Sequence, residues 1–312
     1  MKKVWRVALT VVPIVLLVWL VWARRDDLRP IWEEPSWNLL LIAVLIAVSH
    51  FLNSLEFWVV YRAMDVPISI TENWMVFTSG LLGNLFPGQL GTVYKFRYMN
   101  TVHDVSFSRN GSSYGANLVI SLGSSAIVGI IGVCSYAVGS NTFPLAVFLV
   151  FLGLGLVCIL LMRSSLPVPS FLPSKFAQAA KSFANGWDEI RRTPRTSLSV
   201  VAIDIAKYGI TAWRFLLAFQ LLGVNEKYSF FMVMAPAAAI AGIIAFTPGG
   251  IGFRELFVTA AAVGMGSGFD TGLLAVTTDR GVMLLSALVL GTFGYWFTTS
   301  RMRHAKLLRA TP

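Results

Sequence analysis

Proline followed by glycine interrupts two of the apolar runs in this chain, and few residue pairs constrain a buried backbone more. The first break lies within Leu81–Arg97, as Pro87-Gly88-Gln89-Leu90-Gly91. The second lies within Gly242–Glu255, as Pro248-Gly249-Gly250-Ile251-Gly252. Proline removes a backbone donor, and glycine permits sharp turns and close backbone approach. In hydrocarbon such a break survives only where the freed backbone is buried in protein or lines a wet cavity. Paired broken segments in corresponding halves of a chain are the sequence mark of a transporter's binding site.

Composition places the chain in a bilayer. Of 312 residues, 56% are hydrophobic and 13% charged, whereas a soluble domain carries about a quarter charged residues. The mean hydropathy is +0.70. The formal net charge of +10 would suggest nucleic acid in a soluble chain. Here the basic residues sit in short loops between apolar runs, where topology and anionic headgroups explain them, so no nucleic-acid partner is expected. Cys134 and Cys158 both fall in apolar runs and read as packing residues, not as a disulfide.

Six runs are long enough to span, at about 20 residues each: Val4–Trp22, Ser36–Val60, Ser113–Val138, Pro144–Met162, Leu198–Leu222 and Thr271–Thr298. The first resembles a signal peptide, but its length and the Arg24-Arg25-Asp26-Asp27 that follows favour an uncleaved helix. Asn73–Arg97 and Phe230–Gly264 carry the breaks. The polar stretch Arg163–Ser197 holds Phe176, Ala179, Ala180, Phe183 and Trp187 at helical spacing, which predicts an amphipathic surface helix over Phe176–Ile190. The chain thus divides into an N-terminal helix and loop (1–35), a first half (36–162), a linker (163–197) and a second half with a basic tail (198–312).

Charge decides how the broken runs are threaded. If both are re-entrant hairpins, one side receives Lys2, Lys3, Arg6, Arg62, Arg109, the basic 163–195 segment and the tail Arg301, Arg303, Lys306 and Arg309. The other keeps only Arg24, Arg25, Arg29 and Lys227. That is a strong positive-inside bias, with both termini cytoplasmic. Full crossing of the first run alone would put the basic linker and the tail outside, and full crossing of both would put the linker outside. The hairpins then enter from opposite sides, so Ser36–Val138 and Leu198–Thr298 form an inverted-topology repeat, their Pro-Gly elements 161 residues apart. The expected fold is an all-α polytopic membrane protein, with about six spanning helices and two re-entrant hairpins.

Charges inside membrane segments are costly and mark functional sites. Near the breaks lie Asn84, Lys95, Arg97, Arg254 and Glu255, with Asp279-Arg280 in the last helix. Deeper in the helices lie Glu56, Asp204, Lys207 and Arg214. One reading makes Lys95, Arg97, Arg254 and Arg280 the seat of an anionic lipid headgroup, helped by the dipoles of broken helices. The other has these groups neutralise one another, Glu255 with Arg280 for example. Gly129, Gly132, Gly291 and Gly294 read as close-packing positions. His50, His103 and His304 are scattered, without metal-binding spacing, and no nucleophile or phosphate loop stands out, so neither metal, cofactor nor enzyme activity is expected.

The pattern Gly83-Asn84-Leu85-Phe86-Pro87-Gly88…Gly91…Arg97, with Thr247-Pro248-Gly249-Gly250-Ile251-Gly252…Glu255 and Asp279-Arg280, resembles the flippase-like family, that of the membrane region of lysylphosphatidylglycerol synthases. Members often carry an acid–Arg pair after the first hairpin, where this chain has Gly115-Ala116-Asn117-Leu118. No polar stretch could form a synthase's soluble aminoacyl-transferase domain. The resemblance therefore implies translocation of an anionic or polyprenyl-linked lipid across a bacterial inner membrane, alongside envelope-biosynthesis enzymes. The competing functions are a membrane-embedded transferase or hydrolase for lipid headgroups, and a non-catalytic scaffold.

Overall fold

The computed structural model describes residues 22, 37–85, 90–140, 142–164, 192–244 and 250–310, together with 180, 181, 184, 185, 187, 188 and 190. The chain is all-helical over these residues and is a polytopic membrane protein. In chain order, α1 is Trp37–Ala63, α2 Ile70–Gly83, α3 Leu90–His103, α4 Phe107–Ser140 and α5 Leu145–Arg163. After the linker come α6 Pro194–Gln220, α7 Tyr228–Ile244, α8 Phe253–Gly264 and α9 Phe269–Ala310. The expected first membrane helix, Val4–Trp22, lies outside the described residues apart from Trp22.

Four helices (α1, α4, α5 and α9) are long and apolar enough to cross a membrane. At 27 residues α6 is long enough as well, but it carries Asp204, Lys207 and Arg214. The hairpin arms are shorter. At 14 residues each, α2 and α3 reach about 21 Å, against about 30 Å of hydrocarbon. With 12 residues α8 is shorter still. Proline at 236 inside α7 is tolerable where neighbouring helices cover the freed carbonyl.

Antiparallel packing of α2 on α3 is read from their contacts. Gly83 faces Gly91 near the break, Gly80 faces Lys95 further out, and Glu72 meets Tyr98 and His103 at the open end. Ser69 caps α2 by accepting from the Glu72 N–H at 3.2 Å. The same end of the bundle holds Arg301 of α9, 3.4 Å from Glu72, and the Arg109 donor to the Met64 carbonyl at 3.2 Å. At the opposite end, Lys227 donates to Gly139 O at 2.6 Å and Tyr136 to Met265 O at 2.7 Å. The outer ends of α2–α3 and of α7–α8 therefore lie at opposite ends of the bundle.

The halves interlock: α1 packs on α6, α2 on α9 and α4 on α7. Small residues set the distances. A Cβ at Gly294 would meet Thr78 Oγ1 of α2 at 2.3 Å, and one at Gly132 would meet Met232 of α7 at 3.0 Å. In the same helices, Gly291 lies against Leu82 of α2, whereas Gly129 lies against Phe151 of α5. Both glycine pairs thus serve close packing, as their spacing implied.

One apolar core gathers Phe215, Phe219, Phe230 and Phe231 with α1, α4, α8 and α9 residues. A second joins Val60, Met64, Tyr98 and Met99 to Trp187, Ile190 and Val200. Trp187, placed by its spacing on an amphipathic surface helix, is only 4% exposed and is part of that core. Phe176, Ala179 and Phe183 lie outside the described residues. Both cysteines are free, and Cys134 is exposed, so it faces outward and only Cys158 packs inside.

Candidate functional site

Between the two cores lies a polar cavity of about 300 Å³, reached by every helix except α5. Ser49, His50, Asn53 and Glu56 line it from one face of α1, at helical spacing. Opposite them on α6 stand Lys207 and Arg214. The hairpins contribute Asn84 and Lys95 on one side and Arg254 on the other, with Asn117 of α4 and Met283 of α9 completing the wall.

Two charge clusters border this space. In the first, Lys207 Nζ donates to Glu56 Oε1 and lies 2.6 Å from Asp204 Oδ1. The Asp204 contact has the distance of a short ion pair. Asp204 Oδ2 has no hydrogen-bond partner, although the side chain is wholly buried. Glu56 and Asp204 thus share one ammonium. Asn117 adds a long contact of 3.5 Å to Glu56 Oε2. Where the family resemblance led one to look for an acid–Arg pair, this chain puts an amide against an acid from α1.

The second cluster is built on arginine. Arg214 grips Asp279 with two hydrogen bonds, Nε to Oδ1 at 2.8 Å and N–H to Oδ2 at 2.6 Å. Arg280 Nε lies 3.5 Å from Glu255 Oε1, the pairing that the alternative reading expected. Glu255 has a second task. Its Oε2 accepts from the Gly252 N–H at 2.6 Å, capping α8 at N3 where a carboxylate also meets the positive end of the dipole. Arg214, Arg254 and Arg280 all turn a nitrogen toward the Met283 sulfur, at 3.9, 3.3 and 3.4 Å. A thioether is a weak acceptor, so this is a poor partner for three guanidinium groups.

Lys95 and Arg254 differ from the other cavity cations. Neither meets a carboxylate among the described residues. Lys95 Nζ lies 4.7 Å from the Phe57 ring centroid and 5.2 Å from that of Phe77, a cation–π arrangement. Asn84 Oδ1, at the end of α2, is buried and accepts no hydrogen bond.

The sequence candidates are thus redistributed. Lys95, Arg254 and Asn84 reach the cavity. Arg97 is exposed on α3 and does not line it, because a helix turns the residue two positions past Lys95 away from it. Glu255, Asp279 and Arg280 sit behind the wall as ion-pair partners. Of the deeper group, Glu56, Lys207 and Arg214 line the cavity and Asp204 stands directly behind Lys207. Pro87, Gly88, Pro248 and Gly249 lie outside the described residues. Gly91, Gly250 and Gly252 are described, the last two with φ of 74° and 83°, which side chains rarely adopt.

Three contributors stand outside the sequence candidates. His50, hydrogen-bonded to Ser286 Oγ at 3.2 Å, was one of three scattered histidines. Asn117 marked a missing pair, and Met283 is one methionine among ten. The i, i+3/i+4 alignment of polar Ser49, His50, Asn53 and Glu56 in an apolar helix would have pointed to the first.

The family described as the lysylphosphatidylglycerol synthase TM region matches residues 4–291. The match covers nearly the whole chain, and the chain belongs to that family. No curated protein matches it.

Proposed function

We propose that this member of the lysylphosphatidylglycerol synthase TM-region family moves a lipid with an anionic headgroup across a bacterial inner membrane. The headgroup enters the cavity while the acyl chains stay in the bilayer. One observation carries this reading. Lys95 and Arg254 come from the second arms of different hairpins, line the same cavity, and meet no carboxylate among the described residues. Both are half-buried, and cations inside a membrane protein without an acid are costly unless an anion completes them. A phosphate presents several charged acceptor oxygens, better partners for a guanidinium than the Met283 sulfur.

The inverted repeat belongs to the same proposal. Under a two-fold exchange of the halves, α2 on α9 corresponds to α7 on α4, and α1 on α6 corresponds to itself. Gly129 and Gly132 precede Gly291 and Gly294 by 162 residues, close to the spacing of the Pro-Gly elements. Rocking of such halves would open the cavity to each side in turn. The cytoplasmic side is that of the basic linker and tail, by the positive-inside rule.

Purified protein in phosphatidylcholine vesicles tests the reading. Acyl-labelled phosphatidylglycerol should change leaflet faster than labelled phosphatidylcholine, with no chemical change. A new lipid product would assign the protein to the headgroup-modifying enzymes instead. Equal, protein-independent rates for both probes would leave a scaffold role and defeat translocation.

A further inference from the structure

We propose that Glu56 and Asp204 form a proton site beside Lys207, and that one proton travels with each anionic headgroup; this rests on the translocation reading above. Two carboxyl groups share a single ammonium at the wall of the cavity. Glu56 is 2% exposed and Asp204 0%. With both ionised the cluster carries a surplus negative charge, which a membrane interior penalises. Its hydrogen bonding is also incomplete, since the buried Asp204 Oδ2 has no hydrogen-bond partner while Glu56 lies on the same ammonium. A proton between the two carboxyl groups removes the surplus charge and supplies the missing donor. Carboxylate pairs that share a site take up a proton in this way.

The surroundings make the site responsive to cargo. On α6 the cluster is flanked by Tyr208, whose hydroxyl is committed to Ser121 O at 2.9 Å, and by Arg214, committed to Asp279 of α9. From α4 come Tyr114 and the neutral Asn117, from α3 Lys95, from α8 Arg254, and from α1 itself His50; α2 and α7 add no charged group to the cavity wall. An anionic headgroup against Lys95 and Arg254 adds negative charge next to the acid pair and favours its protonation. Protonation in turn loosens the hold on Lys207, whose ammonium then turns to the headgroup. The balance is simple. A proton binds from water on the loading side, no covalent bond to the lipid changes, and the proton leaves to water on the far side when Lys207 recaptures both acids.

The full chain in phosphatidylcholine vesicles, with acyl-labelled phosphatidylglycerol and an entrapped pH dye, reads both halves of this inference. Wild-type lipid movement should rise about tenfold per unit fall in pH on the loading side, as a one-proton step requires, with proton entry in step with lipid. Glu56→Gln and Asp204→Asn each leave one carboxylate for one ammonium, so these variants should fold, and whatever lipid movement they retain should lose the pH slope and the accompanying proton entry. A flat wild-type profile with lipid still moving overturns proton coupling and leaves translocation intact. Retention of the slope in both variants overturns it too, as does a slope abolished only by His50→Gln, which would assign the proton to that imidazole. Absence of lipid movement at every pH overturns translocation, and the coupling with it.

Discussion

Arg214 and Asp279 are 3% and 1% exposed and joined by two short hydrogen bonds, so each exists in this interior only because of the other. Arg214→Leu or Asp279→Leu alone should destabilise the protein by about 3–5 kcal/mol, since each strands a buried charge. The double variant Arg214→Leu with Asp279→Leu should recover most of that loss. Thermal unfolding in detergent, followed by tryptophan fluorescence, measures both. Glu255→Ala should show the same class of defect, because it removes the cap on Gly252 as well as the partner of Arg280. Lys95 and Arg254 predict the opposite. With no carboxylate to strand, Lys95→Gln and Arg254→Gln should unfold no earlier than wild type. Each should weaken phosphatidylglycerol binding about tenfold or more, the worth of one charged hydrogen bond. Arg97→Gln, outside the cavity, should leave that binding unchanged.

At the scale of elements, the first hairpin is held by backbone contact. A Cβ on Gly91 would lie 1.9 Å from the Gly80 carbonyl oxygen and 2.5 Å from Asn84 Oδ1. Gly91→Ala should therefore force α2 and α3 apart and lower the melting temperature. Gly153→Ala on α5, with nothing within 4 Å, should not. At its open end the hairpin is clasped by Glu72, which receives Tyr98 at 2.6 Å and His103 at 3.0 Å beside Arg301. Burial alone would raise this carboxyl, but the His103 and Tyr98 hydrogen bonds and the Arg301 charge hold it below its usual range. A depressed carboxyl contributes stability above its unfolded value of about 4.3 and loses that contribution as pH falls below it. The acid limb of a melting profile should flatten in Glu72→Gln, which lacks the titrating group.

The whole molecule can be tested for its threading. In a background with Cys134 and Cys158 replaced by alanine, single cysteines at the exposed positions Asp65, Asp104, Asn225 and Gly268 would report each end of the bundle. Impermeant thiol reagent outside intact cells should label Asn225→Cys and Gly268→Cys and spare Asp65→Cys and Asp104→Cys. A hairpin that crossed fully would put Asp104 on the opposite side from Asp65, so unequal labelling of that pair would defeat the re-entrant reading. The two sides of each hairpin must agree because its arms, at 14 or 12 residues in α2, α3 and α8, are too short to span alone.

Much of this was legible along the chain. Helical class, the extents of α1, α5 and α6, the existence of α4 and α9 (the one starting six residues before its apolar stretch, the other ending 12 residues beyond its own), the two interrupted segments and the small-residue packing of Gly132, Gly291 and Gly294 all follow from local chemistry: apolar runs of spanning length, a missing backbone donor, an absent Cβ. Proximity to the breaks was a poorer guide to the cavity. It favoured Arg97, which faces outward, and ranked Glu56, Lys207 and Arg214 behind residues that serve as ion-pair partners. The reason is physical. Spacing from a proline says how far along a helix a charge lies, but which cation keeps a free face depends on where every acid ends up. Arg214 and Arg280 are matched by Asp279 and Glu255, and Lys207 by two acids at once, while Lys95 and Arg254 form no ion pair among the described residues. Those pairings join residues up to 151 positions apart, and only the packing of α1 on α6 and of α6 and α8 on α9 brings them together.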